Sequence, residues 1–377
     1  MREGRIHHDA PITGRGEDLL GRAAVADGIA GLITGDLGHG CLTIGVSGPR
    51  GSGKTSIINM VLERLRERED IFLLEFDPVS YQHGSKDVTK AFFDSISSEL
   101  KDLSKDSPEL KHQGLGYGAI AKDALKAVDK TIKTKVCSDI SKLTGSAMDS
   151  EDNTVADTRR KISEQLTKSG FGLVVVIDGL DLLTSEELAQ VLRLIGSTAR
   201  FDNTFYILGY DEETVEKLAS KDAGLWDLRR SVQMAVRVPD PEAEAVRVVL
   251  RSEIESLMGG SGLEPSERTW QACEAVSPRN LRELYRMLNC LTLRMSSCSD
   301  GTPFEDIVAL AYLEAAYPEI YDLVVGGRLD ARLAERFKGA DERAMKAVGF
   351  LFPSSENRRH PPNSERRGRR ECSGRLL

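Results

Sequence analysis

The chain has 377 residues, of which 51 are basic and 59 acidic, and its formal net charge is −8. Hydrophobic residues make up 40% and charged residues 29%, which excludes collagen-like and wholly disordered chains. The length suffices for one large domain or two to three small ones. The acidic balance argues against general electrostatic capture of nucleic acid, so we expect no nucleic-acid partner.

The apolar residues are too dispersed for a membrane-spanning helix. The longest purely aliphatic run, Leu173–Ile177, has five residues, whereas a span needs about 20. Residues 1–20 contain no apolar stretch of signal-peptide length. The six cysteines form no CxxC pair and indicate free thiols in a reducing compartment. We therefore expect a cytoplasmic protein without a transmembrane span, and peripheral membrane association stays open.

Four short apolar runs, separated by amphipathic helical stretches, predict a mostly parallel sheet with crossover helices. The predicted strands are Cys41–Ser47, Ile71–Phe76, Phe171–Ile177 and Thr204–Tyr210. Beyond Pro239 the pattern is helical only. The predicted helices there are Glu242–Leu257, Pro265–Ala275, Pro278–Met295, Phe304–Ala316 and Leu329–Val348.

These shifts in pattern predict four parts of the chain. Residues 1–17 form an N-terminal arm, and residues 18–239 an α/β core with a polar helical insertion at about 101–168. Residues 240–353 form a helical region that begins near the Pro239-Asp240-Pro241 turn. Residues 354–377 contain seven Arg, three Glu and almost no apolar residue, so we expect a disordered tail.

The segment GPRGSGKT fits the pattern GxxxxGK[ST] in full, and it lies between a predicted strand and a predicted helix. Glycines let the backbone N–H groups of such a loop point inward, and the helix N-terminus adds its positive end, so the loop binds a triphosphate. We expect Lys54 to reach the β- and γ-phosphates and Thr55 to ligate Mg²⁺. ATP and Mg²⁺ are thus the predicted cofactors. The predicted nucleotide-binding residues are Gly48, Arg50, Gly51, Ser52, Gly53, Lys54, Thr55 and Ser56.

A loop of this kind predicts a second element, an apolar strand that ends in an acid and holds Mg²⁺ through water. The run that ends in Asp178 supplies this element. Many ATPases of this broad class have a further acid next, but Gly179 stands at that position. Asp181 follows the strand by three residues and is the candidate for polarising the attacking water. The alternative, that Asp181 caps a helix starting near Thr184, stays open.

Beyond these two motifs, several segments resemble those of KAP-family P-loop NTPases in the same order. They are Asp18–Arg22, Ile44–Ser56, Phe76–Tyr81, Ile177–Asp181, Ile207–Asp211, Ser277–Asn280 and Leu351–Pro353. The resemblance covers residues 18–353. It implies an α/β P-loop fold of the additional-strand ATPase class, followed by an α-helical lid. In that class the strand Thr204–Gly209 lies between Cys41–Ser47 and Leu173–Ile177.

The resemblance also implies roles for two further residues. Asp211, after the fourth strand, would sense the γ-phosphate, and Arg279 would contact that phosphate from the lid. The alternative for Arg279 is an ordinary helix-surface arginine after Pro278. Four positions depart from the family pattern, namely Arg50, Asp77, Gly179 and Leu182. The form DGLD is closer to that of NACHT-type switches, so the residues support nucleotide binding more strongly than hydrolysis.

By resemblance, then, the chain is an ATP-binding, slowly hydrolysing, Mg²⁺-dependent switch in bacterial signalling or phage defence. Its protein partner is unknown, and a homo-oligomer is an open alternative. Two rival functions also remain. One is a nonhydrolysing scaffold that uses ATP as a structural ligand, and the other is an AAA+-like DNA-associated ATPase.

Overall fold

The computed structural model describes residues 6–37, 40–68, 70–79, 88, 91–92, 95, 160, 163–164, 166–167, 172–219, 228–260, 264–297, 303–326 and 341–352. Most of the predicted insertion and the whole predicted tail lie outside these residues. Two compact units divide the chain. The sheet unit is Pro11–Pro239, and the helical unit combines Met1–Ala10 with Asp240–Leu377.

A five-stranded parallel sheet forms the centre of the sheet unit. Its strands are β1 (Cys41–Ser47), β2 (Ile71–Glu75), β3 (Gly172–Ile177), β4 (Thr204–Tyr210) and β5 (Met234–Arg237). The strand order is β2-β3-β4-β1-β5, and every pairing is parallel. Thr204 in β4 pairs with Cys41 on one side and Leu173 on the other. The predicted position of β4 between β1 and β3 is confirmed, which places the sheet in the additional-strand class.

Helices cover both faces of this sheet, and the alternation of side chains along β3 shows how. Val174 and Val176 belong to the apolar cluster that also contains residues of two helices, α1 (Ala23–Gly35) and α2 (Lys54–Arg66). Val175 and Ile177 belong to a second cluster, which includes residues of α3 (Ser185–Arg193). A parallel strand buried on both faces reads as a continuous apolar run, which is why β3 and β4 were visible in the sequence.

The sequence did not predict β5. This strand has four residues, of which three are exposed, and a short edge strand of this kind lacks the apolar run that marks a central strand. Two further helices of the sheet unit are α4 (Glu212–Ala219) and α5 (Leu228–Ser231).

The helical unit contains six described helices. They are α6 (Ala243–Gly260), α7 (Glu267–Ala275), α8 (Leu281–Ser297), α9 (Phe304–Ala316), α10 (Pro318–Val325) and α11 (Glu342–Leu351). The sequence missed α10, and the prediction of one helix over Leu329–Val348 is wrong. Asp341 has φ −53° and ψ 126°, and its carboxylate accepts the Arg343 N–H, so it caps α11 and no helix runs through it. No helix in the described ranges is both long and apolar enough to cross a membrane.

The described part of the N-terminal arm divides between the two units. The His7 N–H donates to Asn289 Oδ1 at 2.8 Å, and Asn289 Nδ2 donates back to the His7 carbonyl at 2.9 Å. These contacts join His7 to α8 of the helical unit. Five residues later, the Ile12 carbonyl accepts from Asn59 Nδ2 of α2 at 2.8 Å, within the sheet unit.

Candidate nucleotide-binding site

The phosphate loop lies between the end of β1 at Ser47 and the start of α2 at Lys54, as its pattern predicts. Gly51 and Gly53 have φ values of +86° and +94°, which glycine adopts without strain. A Cβ on Gly48 would lie 2.7 Å from Ser52 Oγ. The conformation of the loop therefore favours glycine at all three positions.

Lys54 lies against its own loop. Its Nζ donates to the Gly48 carbonyl at 2.8 Å and lies 3.4 Å from the Pro49 carbonyl, and the side chain is buried. The ammonium charge is thus held at the first residues of the loop, where backbone N–H groups and the start of α2 also favour an anion.

Two hydroxyl groups of the loop bear on whether Mg²⁺ and a nucleotide fit here. Ser52 Oγ is buried and has no hydrogen-bond partner among the described residues. Thr55 Oγ1 donates to Asp178 Oδ2 at 2.5 Å, although the two residues are 123 positions apart in the chain. Hydroxyl and carboxylate oxygens are the hard donors that Mg²⁺ takes, and it usually keeps only one or two protein ligands. The residues fit a Mg²⁺–nucleotide complex.

Asp178 owes its position to a glycine on the neighbouring strand. The register pairs Ile177 of β3 with Leu208 of β4, so Asp178 comes to lie beside Gly209. A Cβ on Gly209 would lie 2.8 Å from Asp178 Cγ and would overlap its Oδ1. That same Oδ1 accepts the Gly179 N–H at 2.9 Å. Gly209 is a site residue that the sequence did not single out, because its importance depends on strand register.

The structure brings Asp181 and Asp211 together. The Asp211 N–H donates to Asp181 Oδ1 at 3.1 Å, and the Asp211 carbonyl accepts from Val215 N at the start of α4. The alternative in which Asp181 caps the helix near Thr184 is wrong. Thr184 itself caps α3, through a reciprocal capping box with Glu187.

Gly179, at the position of the missing second acid, has a left-handed backbone with φ +76°. A short 3₁₀ turn, Leu180–Leu182, follows it and places the Asp181 carboxylate within hydrogen-bonding distance of the Asp211 N–H, directly after the end of β4. Left-handed backbone at this position favours glycine over residues with a Cβ. The departure from the family pattern therefore has a local conformational cause.

Three other predicted residues are less central in the described contacts. Arg50 is exposed, and Ser56 Oγ accepts the Ile12 N–H at 3.4 Å. Arg279 belongs to the helical unit, where its guanidinium is ion-paired with Asp341. Tyr317 donates its hydroxyl to the same carboxylate at 2.6 Å. The Tyr317 hydroxyl, the Arg343 N–H and the Arg279 guanidinium, in this order of effect, lower the pKa of Asp341 to about 2.

Arg22 is a second site residue that sequence reasoning did not assign. Arg22 is 6% exposed, and its guanidinium donates to the Ser52 carbonyl of the phosphate loop and, at 2.7 Å, to the Pro239 carbonyl. The only sequence signal was its place in the segment Asp18–Arg22, which resembles the family without indicating a contact.

The strand order and the contact between the phosphate loop and Asp178 define a P-loop NTPase of the additional-strand class. The sequence profile of the KAP family P-loop domain matches residues 22–298, so the chain belongs to this family. The resemblance drawn from the motifs is confirmed, and the family and fold support nucleotide binding.

The chain resembles the following proteins at low sequence identity. The phage T7 exclusion protein of Escherichia coli (strain K12) is 22% identical in an alignment 354 positions long, which covers 83% of this chain and 47% of that protein. The chain thus spans about half the length of this curated relative. A Walker-type ATPase of Pyrococcus abyssi aligns over 91% of both chains at 13% identity, with a TM-score of 0.43. The Aeropyrum pernix ORC1 protein, solved in complex with DNA, aligns over 95% of this chain and 82% of its own at 13% identity, with a TM-score of 0.38.

Proposed function

We propose that the chain is an ATP-binding, slowly hydrolysing, Mg²⁺-dependent molecular switch. The observation that carries this proposal is the contact between Thr55 Oγ1 and Asp178 Oδ2. A hydroxyl from the phosphate loop and a carboxylate from the end of β3 meet where a P-loop ATPase holds its metal ion. Membership of the KAP family supports the same conclusion.

Each residue of the site has a distinct role in this proposal. Loop N–H groups and Lys54 bind the β- and γ-phosphates, while Thr55 and Asp178 hold Mg²⁺. When bound, Mg²⁺ neutralises charge that develops on the phosphates during transfer. Asp181 polarises the attacking water, and Asp211 senses the γ-phosphate at the end of β4.

Arg279 completes the switch in this proposal. An arginine on a helical domain can contact the γ-phosphate in one state and release it in another, which couples hydrolysis to domain movement. Here that role would require Arg279 to exchange its ion pair with Asp341 for the phosphate. Arg279→Lys would keep the positive charge but lose the planar guanidinium. Because only ATP carries a γ-phosphate, this variant should lower the affinity for ATP more than the affinity for ADP.

We propose slow turnover because water activation rests on a single displaced acid. Gly179 has no side chain to act as a base, and Asp181 already accepts the Asp211 N–H through Oδ1. The same observations favour one second candidate, a scaffold that binds ATP without hydrolysing it.

ATP affinity and single-turnover hydrolysis, measured on the full chain with and without Mg²⁺, test the proposal. Lys54→Ala should remove most triphosphate affinity, because it removes the buried point charge. Lys217→Ala is the matched control, since that lysine is 71% exposed and pairs with Glu213 on α4. Tight ATP binding without any turnover would select the scaffold. A parent chain with no ATP affinity would overturn both candidates.

Phage defence or another form of bacterial signalling, in the cytoplasm and with a protein partner, is the biological setting that we propose. It rests on the likeness to a protein named for the exclusion of phage T7. Cells that express the chain should show a lower plating efficiency of a T7-type phage than cells that express Lys54→Ala. Equal plating across a panel of phages would remove defence from the proposal and leave the nucleotide site unaffected.

A further inference from the structure

Arg22 connects two parts of the sheet unit that are far apart in the chain. It lies at the start of α1, where its carbonyl accepts the Val25 N–H at 3.0 Å, so its backbone is fixed by the helix. The buried guanidinium donates through Nη1 to the Ser52 carbonyl and through Nη2 to the Pro239 carbonyl. A planar guanidinium can donate in two fixed directions at once, which a lysine ammonium does not reproduce.

The first contact sets the direction of a loop N–H. The Ser52 carbonyl and the Gly53 N–H belong to one peptide unit, and in a trans peptide these groups point in opposite directions. The described chain contains no cis peptide bond. By holding the Ser52 carbonyl on its own side, Arg22 fixes the Gly53 N–H in the direction that points away from the guanidinium. That N–H is one of the donors with which such a loop binds phosphate oxygens.

Besides its positive φ, the close approach of Arg22 is a second reason for glycine at position 53. A Cβ on Gly53 would lie 2.7 Å from Arg22 Nη1. The guanidinium therefore packs directly on the backbone of the loop. A flip of the Ser52–Gly53 peptide would remove a hydrogen bond from a buried charge, which is costly.

The second contact is with the residue at the boundary of the two units. Pro239 is the last residue of the sheet unit, and Asp240 is the first of the segment that enters the helical unit. The preceding Val238 N–H donates to the Ser47 carbonyl at 2.8 Å, directly before the phosphate loop. The chain that leads into the helical unit is thus attached both to the base of the loop and to Arg22.

We propose that Arg22 is a positioning residue that couples the phosphate loop to the segment leading into the helical unit. It fixes the Ser52–Gly53 peptide for phosphate binding, and it transmits a change in that peptide to Pro239 through the other arm of the guanidinium. The inference rests on the proposed nucleotide site. It adds a route by which nucleotide binding reaches the helical unit.

The test compares Arg22→Gln and Arg22→Lys with the parent and with Arg15→Gln, all as full chains. Arg15 is an exposed arginine of the same region that pairs with Asp27. Titration calorimetry gives the ATP and ADP dissociation constants and the stoichiometry. Hydrogen exchange of residues 235–245, with and without saturating ATP, reports the response of the junction.

Both Arg22 variants should weaken ATP and ADP binding by about 10- to 100-fold, the usual effect of one misplaced hydrogen bond to a charged group. At saturating ATP, the exchange response of residues 235–245 should be lost in both, while Arg15→Gln behaves as the parent. A variant that is merely less stable would instead show reduced stoichiometry at an unchanged dissociation constant.

Three outcomes overturn the inference. Parent-like affinity and exchange in Arg22→Gln would show that the guanidinium positions nothing. Full recovery of both properties in Arg22→Lys would show that the positive charge matters and the bridge does not. Reduced stoichiometry with an unchanged dissociation constant would leave only a structural role. A parent chain that does not bind ATP would instead refute the proposed function itself. The titration of the parent with ATP tests this point separately from the comparison of the variants.

Discussion

Gly209→Ala perturbs Asp178, the carboxylate that we propose holds Mg²⁺, without changing the chemistry of that side chain. The new methyl carbon would lie 2.8 Å from Asp178 Cγ and would overlap Oδ1. The strand backbone of β4 is buried and paired on both sides, so it cannot retreat. We therefore expect the Asp178 side chain to rotate away, and its contacts with Thr55 and the Gly179 N–H to be lost.

The size of the effect follows from these contacts. Overpacking a buried position costs about 1–3 kcal/mol in the free energy of unfolding. A hydrogen bond to a charged group contributes about 1.5–3 kcal/mol, so displacing Asp178 from the proposed metal site should weaken Mg²⁺-dependent ATP binding by about 10- to 100-fold. ATP binding measured in EDTA should change much less, because the phosphate loop itself is untouched.

A double-mutant cycle separates this mechanism from general damage. If Gly209→Ala acts through Asp178, it should add little to the loss of Mg²⁺-dependent affinity already caused by Asp178→Ala. Gly31→Ala, on the exposed face of α1 with open space at its Cβ position, is the control and should bind as the parent does. Additive losses in the cycle, or parent-like Mg²⁺–ATP binding in Gly209→Ala, would refute the placement of the carboxylate over Gly209.

Three further predictions concern other groups. Asp181→Asn retains an oxygen that can accept the Asp211 N–H, so ATP affinity should stay within a few-fold of the parent. Single-turnover hydrolysis should fall by about 10²–10⁴-fold, because the carboxylate proposed to polarise the water is lost. Parent-like turnover would leave Asp181 with a structural role only. The pKa of Asp341, lowered to about 2 chiefly by the Tyr317 hydroxyl, predicts stability that is present above pH 4 and is lost as the pH falls toward 2. Tyr317→Phe should flatten this loss in urea unfolding curves measured against pH, and an unchanged slope would contradict it. Burial raises the pKa of Cys41 to about 11, so at pH 8 its thiol should be alkylated far more slowly in the folded chain than in urea. Mass spectrometry measures the two alkylation rates, with Cys41→Ser as the control, and equal rates would contradict this burial.

Much of the fold could be predicted from the sequence because its signals are local. A strand buried on both faces is a continuous apolar run, and a phosphate loop needs its glycines, lysine and hydroxyl in consecutive positions. The bounds of β1, β4 and the start of α2 were therefore predicted to within a residue. The strand order was predicted only through the family resemblance, since no local pattern states which strands are neighbours.

Errors arose where the local signal was weak or was opposed by a cap. The edge strand β5 is short and exposed, so nothing in its composition distinguishes it from a loop. Helical periodicity continues across Asp341 in the sequence, but the Asp341 carboxylate accepts the Arg343 N–H and caps the start of α11. Periodicity describes which residues share a face and does not report an interruption made by a single hydrogen bond.

The sequence by itself determined which residues could bind a nucleotide, because the chemistry of phosphate and Mg²⁺ limits them to a few types at fixed spacing. The tertiary structure alone decided which of them meet. Thr55 contacts Asp178 across 123 positions, and Asp181 bonds to Asp211 across 30. The supporting roles of Gly209 and Arg22 arise only from strand register and from the return of the chain at Pro239. Such contacts depend on where distant segments pack, and no spacing along the chain encodes that directly.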